Sequence, residues 1–105
     1  MATFDEYVTD TLMRDLVGHD HKPVGFLVYL WIAAEQQRRG GEVRVSYREV
    51  AESIGVSKSS VQAAVAWLVR RKLLAVRKET VTATPAYTAR APWRDAAKRM
   101  ASGKR

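Results

Sequence analysis

Phe4, Tyr7, Val8, Leu12, Leu16 and Val17 recur at helical spacing until Gly18, with acidic residues filling the opposite face. Thr3 followed by Glu6 has the spacing of a capping box, so the pattern predicts a first amphipathic helix that opens there. Its single apolar stripe must be covered, either by the chain's own core or by a second subunit, and the pattern leaves both open. Gly18 to Lys22 has turn composition, and Pro23 suits the first position of a second helix because its missing N–H is not needed there. Val24 and the run Phe26 to Ala34 place apolar residues on nearly every side of that helix, which predicts the central helix of the fold, with Trp31 in the core. Its last turn ends in Arg38 and Arg39, cations that complement the helix dipole, before Gly40 and Gly41 break it.

Glu42 to Val45 alternates polar and apolar residues over the length of a short edge strand. Ser46 and Glu49 form a second capping-box pattern, opening a third, short helix that turns Val50, Ala51 and Ile54 inward and ends at Gly55. Ser57 caps a fourth helix, whose buried stripe is Val61, Ala64, Val65 and Leu68 and which continues to about Lys72. Leu73 to Lys78 and Ala86 to Arg90 read as the strands of a β-hairpin. The expected architecture is mainly α with a small antiparallel hairpin, an α+β fold in three stretches. Residues 1–18 form an N-terminal helix and candidate dimerisation element, 19–91 the main domain, and 92–105 a basic tail.

A chain of 105 residues, 47% of them hydrophobic, accommodates one compact core. Eighteen Lys and Arg against eleven Asp and Glu give a net charge of +7, which favours polyanionic partners. Its distribution sharpens this point: Asp5, Glu6, Asp10, Asp15 and Asp20 against Arg14 make the first twenty residues net −4, leaving +11 on the rest. The tail after Pro92 sets Arg94, Lys98, Arg99, Lys104 and Arg105 against Asp95. With no cysteine, disulfides and thiolate metal sites are excluded and a reducing cytoplasm is the expected home. The longest apolar run, Val24 to Ala34, is too short to span a bilayer, and the N-terminus has no signal-peptide pattern, so no membrane association is expected. His19 and His21 leave a metal shell unfinished, and Ser57, Ser59 and Ser60 have no neighbouring base. No enzyme, metal or other cofactor is therefore expected, and no small-molecule effector is indicated. Trp67 is open between core and surface, and Trp93 is expected to anchor the tail or a dimer contact.

Two helices joined by a tight turn after Gly55 set the second across the first and leave its N-terminal turn projecting. An α-helix fits the major groove of B-form DNA, where its first residues reach base edges and its positive dipole end favours phosphate. Ser46-Tyr47-Arg48-Glu49-Val50-Ala51-Glu52-Ser53-Ile54-Gly55-Val56-Ser57-Lys58-Ser59-Ser60-Val61-Gln62, continued by Ala66 to Leu74, resembles the winged helix-turn-helix of bacterial transcriptional regulators and of related plasmid and phage replication proteins. The resemblance covers residues 23–91, and multiple-antibiotic-resistance-type and gluconate-type repressors share the pattern. It implies a homodimer bound to double-stranded DNA, with Ser57, Lys58, Ser59, Ser60 and Gln62 at bases and phosphates and Tyr47 and Arg48 at the flanking backbone. In the same reading Arg77, Lys78, Thr82 and Arg90 on the hairpin wing approach the DNA. The chain departs from many relatives in having Ala63, Ala64 and Ala66 where long polar residues are common, and Thr80, Thr82 and Thr84 in place of wing-tip cations. The function expected is sequence-selective DNA binding by a transcriptional regulator. The alternatives are a plasmid or phage replication or partition factor, and a winged-helix module that docks an acidic protein.

Overall fold

A computed structural model describes residues 3–94, so most of the expected basic tail, residues 95–105, lies outside the described residues. The fold is α+β. An N-terminal helix wound as two π-helical segments, Val8–Leu12 and Arg14–His19, is followed by α1 (Pro23–Arg39), β1 (Val43–Arg44), α2 (Tyr47–Ile54), α3 (Lys58–Arg70), β2 (Leu74–Arg77) and β3 (Ala86–Ala89). The strands form one antiparallel sheet in the order β1-β3-β2, so the short strand predicted at Glu42 to Val45 is the third member of the hairpin's sheet. Among the described residues no helix is long and apolar enough to cross a membrane.

Helix α1 is the element around which the rest packs. Phe26, Val28, Tyr29 and Ile32 are buried in one cluster with Val50 and Ala51 of α2, Val61, Ala64, Val65 and Leu68 of α3, and Val43, Val45, Leu73, Leu74 and Tyr87 of the sheet region. Gly25 allows close approach here: a Cβ at that position would lie 3.4 Å from the Trp67 ring of α3. The expectation that α1 is buried all round is corrected. Its neighbours cover a broad side and leave Leu27 43% exposed, and Trp31 is half-buried at the edge of the cluster instead of inside it. The polar end of the helix is used within it, because the buried Glu35 carboxylate accepts from Arg39 at 3.0 to 3.1 Å and pairs with Arg38 at 3.0 Å.

The N-terminal helix differs from its predicted form at both ends. Asp5, not Thr3, caps it, its Oδ1 accepting from the Tyr7 amide at 3.0 Å. Thr3 is held elsewhere: its amide donates to Gln37 Oε1 at 2.7 Å and its carbonyl accepts from Gln37 Nε2 at 2.5 Å, so a tertiary partner overrides the local capping box. The helix also runs past Gly18 to His19, and i to i+5 bonds such as Asp20 N–H to the Asp15 carbonyl wind it more loosely than an α-helix. Val8, Leu12 and Leu16, spaced by four along it, are all buried in the chain's own core. These three positions of the stripe are covered within one chain, while Val17 is 39% exposed.

Trp93 follows β3 and stacks on Tyr7 with ring centroids 4.5 Å apart, while its Nε1 and the Arg94 Nε donate to Asp5 Oδ2 at 3.3 and 3.0 Å. Trp93 therefore anchors the end of the described chain to its beginning. The Tyr7 amide, Arg94 and Trp93 together hold the Asp5 carboxyl below its ordinary value of 3.8. His19 and then Arg71 do the same for Asp20.

Two predictions follow from this packing. Leu68→Ala, at a position with no exposure, should cost about 2–5 kcal/mol in urea unfolding, whereas Gln62→Ala on the outward side of the same helix should stay within about 0.5 kcal/mol. A carboxyl whose folded pKa is depressed stabilises fully above its unfolded value and loses that contribution as pH falls through the folded one. Trp93 fluorescence should therefore report undocking as the pH drops below about 4, and Asp5→Asn should abolish that acid step; an unchanged step in the variant would refute the assignment.

Candidate nucleic-acid interface

The short reversal from α2 to α3 is specified residue by residue. Ser46 Oγ accepts from the Glu49 amide at 3.1 Å and Glu49 Oε1 accepts from the Ser46 amide at 3.0 Å, so α2 opens with the capping box read from the sequence. Gly55 ends it in the left-handed region, at φ 78°, with its amide on the Ala51 carbonyl. Ser57 is extended and caps α3, its Oγ accepting from the Ser60 amide at 3.1 Å. At the other end Lys72, at φ 63°, takes the position usually given to glycine. The bonds Lys72 N–H to the Val69 carbonyl and Leu73 N–H to the Leu68 carbonyl close a Schellman motif that turns the chain into β2.

Burial of Val61, Ala64, Val65 and Leu68 decides which side of α3 faces water. Lys58, Ser59, Gln62, Ala63, Ala66, Val69 and Arg70 are exposed. The first turn carries no carboxylate, so nothing there opposes the positive end of the helix dipole. From Ser53 to Lys78 the chain has no acidic residue and six cations: Lys58, Arg70, Arg71, Lys72, Arg77 and Lys78. Arg71 bonds Asp20 at 3.1 Å. Arg77 is held by Glu42, and among the described residues Lys58, Arg70, Lys72 and Lys78 have no carboxylate partner.

The residues singled out from sequence fall into three groups. Ser57, Lys58, Ser59, Ser60 and Gln62 are contiguous at the start of α3. Ser60 is the half-buried member, and its hydroxyl accepts from Ser57 Oγ at 2.8 Å, while Ser59 Oγ lies 3.2 Å from the same atom. At the start of α2, Arg48 is exposed but bonded to Glu52 at 3.2 Å, and Tyr47 is half-buried against the core. Burial first, and then the Tyr47 phenol, push the Tyr87 hydroxyl upward. On the hairpin, Arg77, Lys78 and Thr82 lie at or beyond the end of β2, whereas Arg90 sits past the far end of β3. Arg90 is fixed there by its amide on the Leu73 carbonyl and by the Tyr29 hydroxyl on its own carbonyl, both at 2.8 Å. Burial raises the pKa of Tyr29 to about 12, keeping the phenol a donor.

Two features escaped the sequence reading. Trp67 is half-buried, with Arg71 and Lys22 over its ring at 5.1 and 5.9 Å, and it lines a groove of about 240 Å³ between Lys22, Gly25, Ser60 and Ala63. Arg44 on β1 joins Arg77 across the sheet through Glu79; the alternation of Glu42, Val43, Arg44 and Val45 was the available sign that Arg44 points outward. Comparisons with protein-family models, with curated proteins and with solved structures gave no match to this chain.

The turn geometry leads to a direct stability test. Ser57→Ala should cost about 1 kcal/mol through the lost cap. Gly55→Ala should cost about 1–2 kcal/mol from backbone strain alone, because no atom lies within 4 Å of the added Cβ. Urea unfolding midpoints measure both, and no loss at Gly55 would contradict the left-handed turn.

Proposed function

We propose that this chain is a non-catalytic winged helix-turn-helix protein that binds double-stranded DNA and acts as a transcriptional regulator. The observation that carries the reading is the outward start of α3: a run of short polar side chains and Gln62, with Lys58 free of any carboxylate among the described residues, at the positive end of a 13-residue helix. A helix end of this kind attracts phosphate through its unpaired amides, and its short side chains let the backbone come close to a groove. Helix α2 braces α3 from behind, and the β2–β3 hairpin follows as the wing.

Ala63 and Ala66 continue the same exposed face. They supply methyl contacts to thymine and few hydrogen bonds to base edges, so Gln62 carries most of the direct readout and the phosphate contacts carry most of the affinity. Lys78 and Arg70 add to the cationic surface. On a two-fold symmetric site, two copies would set their α3 helices about 34 Å apart. Sedimentation on an inverted-repeat duplex should give two chains per duplex, and one chain per duplex would remove the dimer.

The binding prediction is specific in sign and in salt. Wild-type protein should retard duplex DNA, with log K falling against log salt by about 0.9 for each phosphate contacted. Lys58→Glu should weaken binding by about tenfold or more with the fold unchanged by circular dichroism. Absence of duplex binding at low salt, or binding undiminished in Lys58→Glu, would overturn the proposal; capture of an acidic protein by the same face would then favour the interaction-module reading.

A further inference from the structure

The three strands bring two arginines to one small target. Arg44 of β1 and Arg77 of β2 are both in register with Ala86 of the central strand β3. Directly paired residues in antiparallel strands project to the same side, so both guanidiniums leave the face that Ala86 shares. Each is preset by a different acceptor. Arg44 NH1 donates to the Thr84 carbonyl at 3.0 Å, and Arg77 donates through Nε and NH2 to the two oxygens of Glu42. The remaining nitrogens converge: Arg44 NH2 lies 3.1 Å and Arg77 NH1 4.0 Å from one and the same atom, Glu79 Oε1.

Glu79 is the odd member of this group. It follows β2 in the loop between the strands, its side chain is 62% exposed, and no group except these arginines is bonded to its carboxylate among the described residues. Glu42 lies beside β1 and grips the Arg77 fork from the side, an orienting role that the lowered pKa of its carboxyl reflects. Without Glu79, Arg44, Arg77 and Glu42 sum to a single positive charge; with it they sum to zero.

The geometry points to an anion clamp formed by Arg44 and Arg77, occupied in the free protein by the Glu79 carboxylate and taken over by a backbone phosphate of DNA when the protein binds. A phosphodiester offers the same singly charged oxygens as a carboxylate and accepts the same guanidinium fork. It needs no rearrangement of the arginines, since Thr84 and Glu42 keep them aimed; only the exposed Glu79 side chain has to swing away. The clamp is neutral until that exchange occurs, so Glu79 lowers attraction to any polyanion and restricts engagement of the hairpin to complexes in which a phosphate is delivered to this point. This inference rests on the DNA-binding reading for the source of the phosphate, and not for the clamp itself.

The test uses the full chain with Glu79→Gln, Arg44→Gln, their double variant and Asp10→Asn, the last removing one exposed carboxylate from the N-terminal helix as a matched charge control. Glu79→Gln should bind duplex DNA about threefold to fivefold more tightly at fixed salt, because the competing carboxylate is gone while the phosphate contacts of the complex stay the same. The gain should vanish in the double variant, and Asp10→Asn should not reproduce it. A gain that persists without Arg44, or that Asp10→Asn equals, would overturn the clamp while leaving DNA binding by α3 intact. Should no form bind duplex, the DNA reading fails by itself. The clamp is then decided by inorganic pyrophosphate followed through the arginine side-chain NMR signals: shifts of Arg44 and Arg77 larger in Glu79→Gln than in wild type support it, and no shift refutes it.

Discussion

The packing of α3 against α1 governs the rest of the molecule. Helix α3 has one apolar side, Val61, Ala64, Val65 and Leu68, and once that side is sealed against the buried face of α1 its remaining side chains have no freedom about which way to point. Dispersion and hydrophobic burial are individually weak and non-directional, yet a helix is rigid, so burying four positions orients all thirteen. Gly25 makes the approach close enough for Trp67 to lie on α1, which fixes the roll of α3 further. The chemistry of Ser57 to Gln62 is thus a consequence of a packing problem solved on the opposite face.

Local and long-range forces divide the remaining features between them. Where a signal is complete within a few residues it is realised as written: the Ser46 and Glu49 box, the glycine turn at Gly55 and the Ser57 cap all lie where their spacing puts them. The helix periods of α2 and α3, the bounds of α1 set by Pro23 and the Gly40-Gly41 pair, and the two strands of the hairpin were legible for the same reason. Thr3 and Glu6 have the same spacing and make no box, because Gln37 lies close by in space and satisfies both backbone groups of Thr3. Nothing within the first twenty residues announces Gln37. Likewise, a near-continuous apolar run in α1 could not reveal that Leu27 faces outward and Trp31 sits at the edge of the core, since only the positions of the other helices decide which side is covered.

Charges show the same division more sharply. Arg48 and Arg77 look alike as sequence, two exposed cations at the edges of a helix and a strand. In the fold one is paired along its own helix with Glu52 and the other across the sheet with Glu42. Neither is simply a free cation, whereas Lys58, with no carboxylate within reach among the described residues, retains its whole charge for a partner. Counting charges along the chain located the basic body correctly, but the available charge is set by pairs that strand register brings together. Arg44 entered the site only through that register.

The central claim is that the first turns of α3 form the surface that meets a duplex. Amide-resolved NMR of the full chain during titration with duplex DNA addresses it most directly, because it reports position without altering any residue. The account predicts the largest shifts at Lys58, Ser59, Ser60 and Gln62, smaller ones on the hairpin, and little change along the N-terminal helix. Shifts concentrated on the acidic N-terminal helix or on the exposed side of α1, with α3 silent, would contradict it.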